Sequence, residues 1–147
     1  MLRSDAQRDL SPLAKLTQLE TLDITDGQIS DLRPLSGLAR LRELAFHFCA
    51  AVSDLRPLAG LAELEKLTFN ECERVTDLRP LSKLERLRRL DLTDCFQIAN
   101  VKPLAKLKKL ELLVLANTDV TDTSALNGLP KLRIRFGEEA EEHDNNA

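Results

Sequence analysis

The chain has 147 residues, of which 31 % are charged and 43 % hydrophobic, and its formal net charge at pH 7 is −3. This length is that of one ordinary domain, and neither value is typical of a disordered chain or of a membrane protein. The first ten residues contain no apolar signal-peptide core and the three cysteines are an odd number, so we expect a reducing, cytoplasmic setting.

The chain begins with a short lead-in, residues 1–8, and continues with a phrase that is repeated. The phrase DLRPL stands at residues 31–35, 54–58 and 77–81, which gives the same interval of 23 residues twice. A phrase that recurs at constant period marks one structural unit copied along the chain. Aligned on this phrase, the sequence gives six lines, the last of them partial, and predicts one repeat domain over residues 9–137.

Each line opens with a predicted turn. Asp31, Asp54 and Asp77 stand where a short helical turn should begin, and an Asp side chain there can accept the free backbone N–H groups of that turn. A proline follows within the first turn, where a missing N–H costs nothing. The leucine after the proline then points inward. The phrase therefore predicts a structural turn rather than a catalytic motif.

The middle of each line is a predicted strand. It reads Leu-x-x-Leu-x-apolar, as at Leu87, Leu90 and Leu92, and the last two apolar positions have the period of two that strands show. Three cysteines follow the strands at intervals of 23 residues, namely Cys49, Cys72 and Cys95.

The cysteines are expected to form a column of small, inward-facing residues with free thiols. The alternatives are a metal site, a disulfide and a nucleophile. Zinc requires close pairs of ligands, which this sequence lacks, and stacked neighbours have parallel Cβ directions that oppose a disulfide. A thiol buried in apolar surroundings is inert. We therefore predict no metal and no cofactor.

These lines resemble the leucine-rich repeat family, whose period is 20–29 residues and whose consensus has Asn or Cys after the strand. The Asp-x-x-Pro-Leu-x-x-Leu segment is similar to the internalin-type and phosphatase-regulator-type repeats. The resemblance implies an α/β solenoid: a right-handed arc of about six coils, with a parallel sheet on the concave face and short helical or 3-10 turns on the convex face. It also implies a non-enzymatic module that binds a protein partner through the concave face. Candidate roles are an inhibitor, an immunity-type protein and a regulatory subunit.

The outward columns of the strands supply the candidate site. They contain an acidic row interrupted by the aromatic Phe48, and an apolar patch around Leu112 and Val114 with basic residues beyond it. Phe48 is interpreted either as an interface anchor or as a residue that packs on the scaffold, and a C-terminal segment is the alternative cover for the apolar patch. On the sixth line the outward residues are taken as Lys131, Arg133, Arg135 and Phe136. The predicted partner-binding residues are Asp23, Asp26, His47, Phe48, Asn70, Glu71, Asp91, Asp94, Leu112, Val114, Arg133 and Arg135.

The sequence gives weaker support to two other functions, catalysis and nucleic-acid binding. Catalysis would need a partner for His47 that spacing does not provide, and Asp91 with Asp94 is not placed as a carboxylate pair in a pocket. Nucleic-acid binding is the alternative function, because residues 79–137 carry twelve basic and six acidic residues. The basic residues of that half include Arg86, Arg88, Arg89, Lys106, Lys108, Lys109, Lys131, Arg133 and Arg135. Acids share the concave face and no exposed aromatics interleave with these charges, which argues against it.

The ends of the array raise a separate expectation. The C-terminal segment, residues 138–147, holds five acids and no lysine or arginine, and we expect an acidic, disordered tail. No helix that would cap the array is evident before the first line. Apolar array ends need cover, so we expect that the chain is a fragment or that a partner or a second copy covers an end.

Overall fold

The structure is a computed structural model that describes residues 9–25 and 27–137. The predicted lead-in, the predicted acidic tail and the candidate residue Asp26 lie outside the described residues. Six strands follow one another in the described chain: β1 Thr21–Thr25, β2 Glu43–His47, β3 Lys66–Asn70, β4 Arg89–Asp91, β5 Leu112–Val114 and β6 Arg133–Arg135. Six short 3-10 turns alternate with them: η1 Ser11–Lys15, η2 Arg33–Leu35, η3 Arg56–Leu58, η4 Arg79–Lys83, η5 Lys102–Leu104 and η6 Ser124–Leu126.

The strands form one parallel sheet in the order of the chain, from β1 to β6. The register follows the repeat, so that one inward column runs through all six strands. Its members are Leu22, Leu44, Leu67, Leu90, Leu113 and Ile134. The predicted arc of coils with a parallel sheet is confirmed, and every described helical segment takes the 3-10 form. None of the described helical segments is long and apolar enough to cross a membrane.

The core lies between the sheet and the row of 3-10 turns. Each coil contributes leucines at the same positions, and those of the central coils are at most 1 % exposed. Phe46 and Phe69 occupy one inward column in neighbouring strands, and their rings stack with centroids 5.2 Å apart and planes 2° apart. Successive coils therefore cover one another, as stacked repeats do.

The repeated aspartates hold the turns as predicted. Asp31, Asp54 and Asp77 each accept the backbone N–H of the arginine two residues later, at 2.9–3.0 Å. Asn100 accepts the corresponding N–H of Lys102 at 3.0 Å. Each of the three arginines also returns its guanidinium to its own aspartate, with Nη2–Oδ2 distances of 2.7–2.9 Å. In each DLRPL turn, the aspartate carboxylate therefore contacts the arginine in two ways, through its backbone N–H and through its guanidinium.

The cysteine column is confirmed as well. Cys49, Cys72 and Cys95 form no disulfide and are fully buried. Their thiols donate to backbone carbonyl oxygens of the preceding strand, at Sγ–O distances of 3.3–3.7 Å. Burial raises the pKa of the Cys95 thiol to about 12. A thiol hydrogen bond with Cys49, followed by burial, raises the pKa of Cys72 far above its ordinary range.

The sixth coil corrects the alignment of the last line. Leu132 precedes the inward Ile134 by two residues, whereas Leu110 precedes Leu113 by three. Arg133 therefore pairs with Leu112, and Arg135 with Val114, so these two arginines are the outward residues of β6. Lys131 lies before the strand. Phe136 follows β6 in the inward alternation of the strand and is 55 % exposed.

Candidate functional site

Three rows of side chains cross the outer, concave face of the sheet, because alternate strand residues point away from the core and the register is regular. The first row is Thr21, Glu43, Lys66, Arg89, Leu112 and Arg133. The second row is Asp23, Ala45, Thr68, Asp91, Val114 and Arg135. The third row begins with Thr25, His47 and Asn70. Eight of the predicted partner-binding residues therefore share this face: Asp23, His47, Asn70, Asp91, Leu112, Val114, Arg133 and Arg135.

A shallow groove of about 240 Å³ lies over the first four strands. Its lining residues are Thr21, Leu22, Asp23, Glu43, Leu44, Ala45, Lys66, Thr68 and Arg89. Small-molecule pockets usually enclose roughly 300–1,000 Å³ and bury most of their ligand. A smaller and open groove is suited to a protein surface instead. No group of three His, Cys, Asp or Glu residues that could hold a metal ion occurs within the described chain.

The polar side chains of this face are held by their neighbours. Lys66 Nζ lies 2.8 Å from Glu43 Oε1 across the strands. His47 Nε2 lies 3.8 Å from Asp23 Oδ1, an ion pair only when the imidazole is protonated. Asp91 accepts both the backbone N–H and the hydroxyl of Thr93, at 3.0 and 2.6 Å. The face is therefore an ordered surface of mixed charge.

Glu71 and Asp94 of the predicted acidic row, and Phe48 that interrupts it, lie at the ends of the strands. Phe48, Glu71, Asp94 and Asn117 have φ angles of 53–60°, in the left-handed region, at the point where the chain leaves the sheet. Phe48 and Glu71 directly follow β2 and β3, and their N–H groups donate to carbonyl oxygens of the next coil at 2.9 and 3.0 Å. We call these four residues the strand-end row. They form the rim of the concave face rather than one of its outward columns.

Phe48 is 48 % exposed within this row. An aromatic side chain that packed on the scaffold would be covered, so the exposure favours the interpretation as an anchor. Asp94, by contrast, is half-buried and accepts a hydrogen bond from Asn117 Nδ2 at 2.7 Å.

The apolar patch is not the open surface that the sequence suggested. Leu112 and Val114 are each only 9 % exposed, and with Ala116 they form a small buried cluster separate from the core. The register places Leu112 between Arg89 and Arg133. Arginine stems can cover apolar neighbours while the guanidinium stays in water. The expectation that Leu112 and Val114 lie on an open surface is therefore wrong, because side chains of the neighbouring coils shield them. Their role in partner binding stays a prediction.

Sequence reasoning also missed the centre of the groove. Glu43, Lys66, Thr68 and Arg89 line it, but they were not among the candidate residues. The signal was present, since all four stand in the outward columns of the Leu-x-x-Leu pattern. Position along the array, more than aromatic or acidic character, marks these residues.

Comparison with known proteins identifies the repeat. A family model described as leucine-rich repeats, in two copies, matches residues 62–106. An internalin (inlF) from Listeria monocytogenes has a TM-score of 0.79 and 34 % identity, over 86 % of this chain and 37 % of its own. An internalin C2 (inlC2) from the same species has a TM-score of 0.67 and 24 % identity, over 92 % and 69 %. A leucine-rich repeat protein from Leptospira interrogans has a TM-score of 0.51 and 18 % identity, over 84 % and 38 %.

The similarity to internalin C2 and to the Leptospira protein shows only a shared fold. No curated protein matches the sequence significantly. The chain spans 37 % of the length of the first internalin, so the likeness concerns the repeats and not that whole protein. The family model and the internalin likeness together support a protein–protein interaction module.

Proposed function

Because this chain is a leucine-rich repeat protein, we propose that it binds a protein partner through the concave face of its sheet. The observation that carries the proposal is the unbroken register of six strands. It aligns outward side chains in rows and leaves them around one shallow groove. Extended concave surfaces of this kind are the usual binding surfaces of solenoids.

The chemistry of the groove supports a charged protein surface as the ligand. Glu43 and Lys66 form an ion pair near its centre, with Asp23 on one side and Arg89 on the other. Charges of both signs at fixed positions favour a partner with the complementary pattern, and they steer its approach.

The finer role belongs to the same proposal. We propose a cytoplasmic inhibitor, immunity-type protein or regulatory subunit that occupies a surface of its partner without chemistry of its own. Three buried cysteines that form no disulfide are compatible with a reducing compartment. The acidic residues of the first coils would attract a basic partner.

A single substitution tests the binding face once a partner has been captured by cross-linking in the native host and identified by mass spectrometry. Thr68 is half-buried in the groove, so Thr68→Arg places a long cation at its centre. We expect at least a tenfold loss of affinity in a titration, about 1.4 kcal/mol.

Ala62→Arg is the matched control for that test. Ala62 is exposed ahead of β3, and Lys108 occupies the equivalent position two coils later, so the fold accepts a long cation there. Normal binding by Thr68→Arg, with loss of binding by Ala62→Arg, would place the site on another face.

Nucleic-acid binding is the second candidate, and one observation favours it. Arg86, Arg88 and Lys109 line one depression beside Glu65. Arg86 is already paired with Glu63 at 2.6 Å, and Arg88 lies 3.6 Å from Glu111. Phosphates would have to displace these carboxylates. A salt titration with random duplex and single-stranded DNA decides between the two candidate functions. If the chain binds phosphates, the logarithm of its binding constant for DNA should fall linearly with the logarithm of the salt concentration.

A further inference from the structure

We infer that the edge of the sheet at the carboxyl ends of the strands is a second contact surface, which binds a cationic peptide segment that also carries apolar side chains. The surface, here called the aromatic–acidic edge, consists of Phe48, Glu71, Glu73, Asp94 and Phe96. It deepens the proposed function, since it adds to the concave face a neighbouring surface with its own ligand chemistry.

The first observation is exposed aromatic surface. The large hydrophobic side chains that are exposed in the described chain are Leu16, Phe48, Phe96 and Phe136. Two of them, Phe48 at 48 % and Phe96 at 52 %, belong to this edge, in the second and fourth coils. Neighbouring strands lie about 4.8 Å apart, so the backbones that carry these rings are about 10 Å apart along the array. The coil between them supplies Glu71 and Glu73.

The second observation is charge without internal compensation. The loops that leave the strands, residues 48–53, 71–76, 94–99 and 117–121, hold four acids and one base. The acids are Glu71, Glu73, Asp94 and Asp119, and the base is Arg74.

None of these carboxylates, so far as the structure describes the chain, takes part in an ion pair. The repeated aspartates of the turns, by contrast, are each neutralised by an arginine, as Asp54 is by Arg56 at 2.8 Å. The edge can therefore accept cations from a partner without breaking an existing bridge.

The third observation is backbone strain at the aromatic. Phe48 has φ 58°, and a bulky residue in the left-handed region is strained relative to residues that tolerate this conformation. Asn117 occupies the equivalent position three coils later, and asparagine suits this conformation. A residue other than phenylalanine would therefore be less strained at this position and would stabilise the fold more. A strained residue that keeps an exposed ring is suited to a binding role.

These three features fit one kind of occupant. Arginine or lysine side chains can pair with Glu71 and Glu73 and stack on the faces of the phenylalanine rings. Apolar side chains of the same segment can cover the parts of the phenylalanine rings that the cations leave exposed. A segment that has only the cations, or only the apolar side chains, meets just one of these two requirements.

The test uses the full-length chain labelled with nitrogen-15 and three ten-residue peptides. In the first peptide arginines alternate with leucines, in the second arginines alternate with serines, and in the third glutamates alternate with leucines. We expect the arginine–leucine peptide to bind at least tenfold more tightly than either control. Its amide shift changes should concentrate at residues 48, 71–74 and 94–97.

The variants use residues that the chain itself has at equivalent positions. Phe48→Asn copies Asn117, and Phe96→Ala copies Ala50. The double variant should lose at least tenfold in affinity for the arginine–leucine peptide, with a midpoint of thermal unfolding no lower than that of the wild type. The concave variant Thr68→Arg should bind the peptide as the wild type does.

Several outcomes overturn the inference. They are unchanged affinity in the double variant, a loss of stability together with affinity, shift changes confined to the concave rows, and shift changes confined to residues 138–147. The proposed function fails separately, since it rests on the loss of the protein partner by Thr68→Arg, which leaves the aromatic–acidic edge intact.

Discussion

Single residues in the cysteine column show why this position accepts a thiol. Cys72 Sγ reaches the carbonyl oxygens of Phe46 and Asn70 at 3.7 and 3.6 Å, which are long and weak contacts. In the fifth coil the equivalent residue is Thr118, whose hydroxyl donates to Leu115 O at 2.9 Å within its own coil. Thr118 is half-buried, whereas Cys72 is fully buried. A hydroxyl is therefore used only where a short hydrogen bond and some water are available.

Cys72→Ser should destabilise the fold by about 1–3 kcal/mol, because it buries a hydroxyl whose acceptors are too distant for a good bond. Urea unfolding measures the change. Cys72→Ala is the control, since it removes the sulfur without adding a polar group, and it should cost less than serine. Greater stability of the serine variant than of the alanine variant would contradict the burial argument.

At the scale of the element, the aspartate turns give the fold a defined acid sensitivity. The side chain and the backbone N–H of Arg56 lower the pKa of Asp54 to about 2. The pKa values of Asp9, Asp31, Asp77 and Asp122 are lowered in the same way, by hydrogen bonds from the residue two positions later. A carboxyl group whose pKa is lower in the folded state stabilises the fold above its unfolded pKa of about 3.9. That contribution is lost as the pH falls through the folded pKa.

We expect the triple variant Asp31→Asn, Asp54→Asn, Asp77→Asn to lose less stability than the wild type between about pH 4 and pH 2. The reason is that asparagine keeps the turn, as Asn100 does by accepting the N–H of Lys102, but does not titrate. The measurement is the midpoint of thermal unfolding at pH 2 to 5. If the unfolding midpoints of the wild type and the triple variant fell equally as the pH was lowered, these turns would not be the cause of the acid sensitivity.

Contact between neighbouring coils can be tested at the stacked rings. Phe69→Ala should cost roughly 3–5 kcal/mol, because it leaves a cavity in the centre of the array. Phe69→Leu should cost under about 1.5 kcal/mol, since the fourth coil has Leu92 at the equivalent position. Denaturant unfolding would compare the two variants, and equal losses would show that cavity volume does not govern this site.

The repeat explains which elements could be predicted from the sequence. The Asp–Pro turns, the Leu-x-x-Leu strands and the cysteine column each depend on residues within one line, and the line is repeated. The left-handed conformation of Phe48 could not be predicted, because phenylalanine does not favour it and neighbouring coils impose it through the N–H bond to Asn70 O. The burial of Leu112 depends on the coils on both sides. The register of the sixth coil was missed because its line is one residue shorter before Ile134.

For the whole molecule, the distribution of charge follows the axis of the array. Residues 1–78 carry thirteen acidic and nine basic residues, whereas residues 79–137 carry six acidic and twelve basic residues. The first described coil includes Glu20 and Asp23, and the last includes Arg133 and Arg135. One end of the described solenoid is therefore complementary in charge to the other.

The ends also match in their backbone and apolar surfaces. In the described sheet, β1 and β6 each have a strand on one side only. If the register continued from β6 of one copy to β1 of the next, Ile134 would meet Leu22 and Arg135 would meet Asp23. The exposed Phe136 would then approach the column that contains Ile24. An interface between unlike ends does not close on itself and extends by addition of further copies.

We therefore expect head-to-tail association that grows with protein concentration and weakens as salt rises, measured by sedimentation velocity. Asp23→Arg or Arg135→Asp alone should reduce it by placing like charges opposite one another. The two variants mixed in equal amounts should associate, because the Arg135→Asp end of one then meets the Asp23→Arg end of the other. Arg89→Asp is the control, since it makes the same charge change in the middle of the sheet and should leave association unchanged. A chain that sediments as a monomer at all concentrations, at low salt, would show that its ends do not recognise each other.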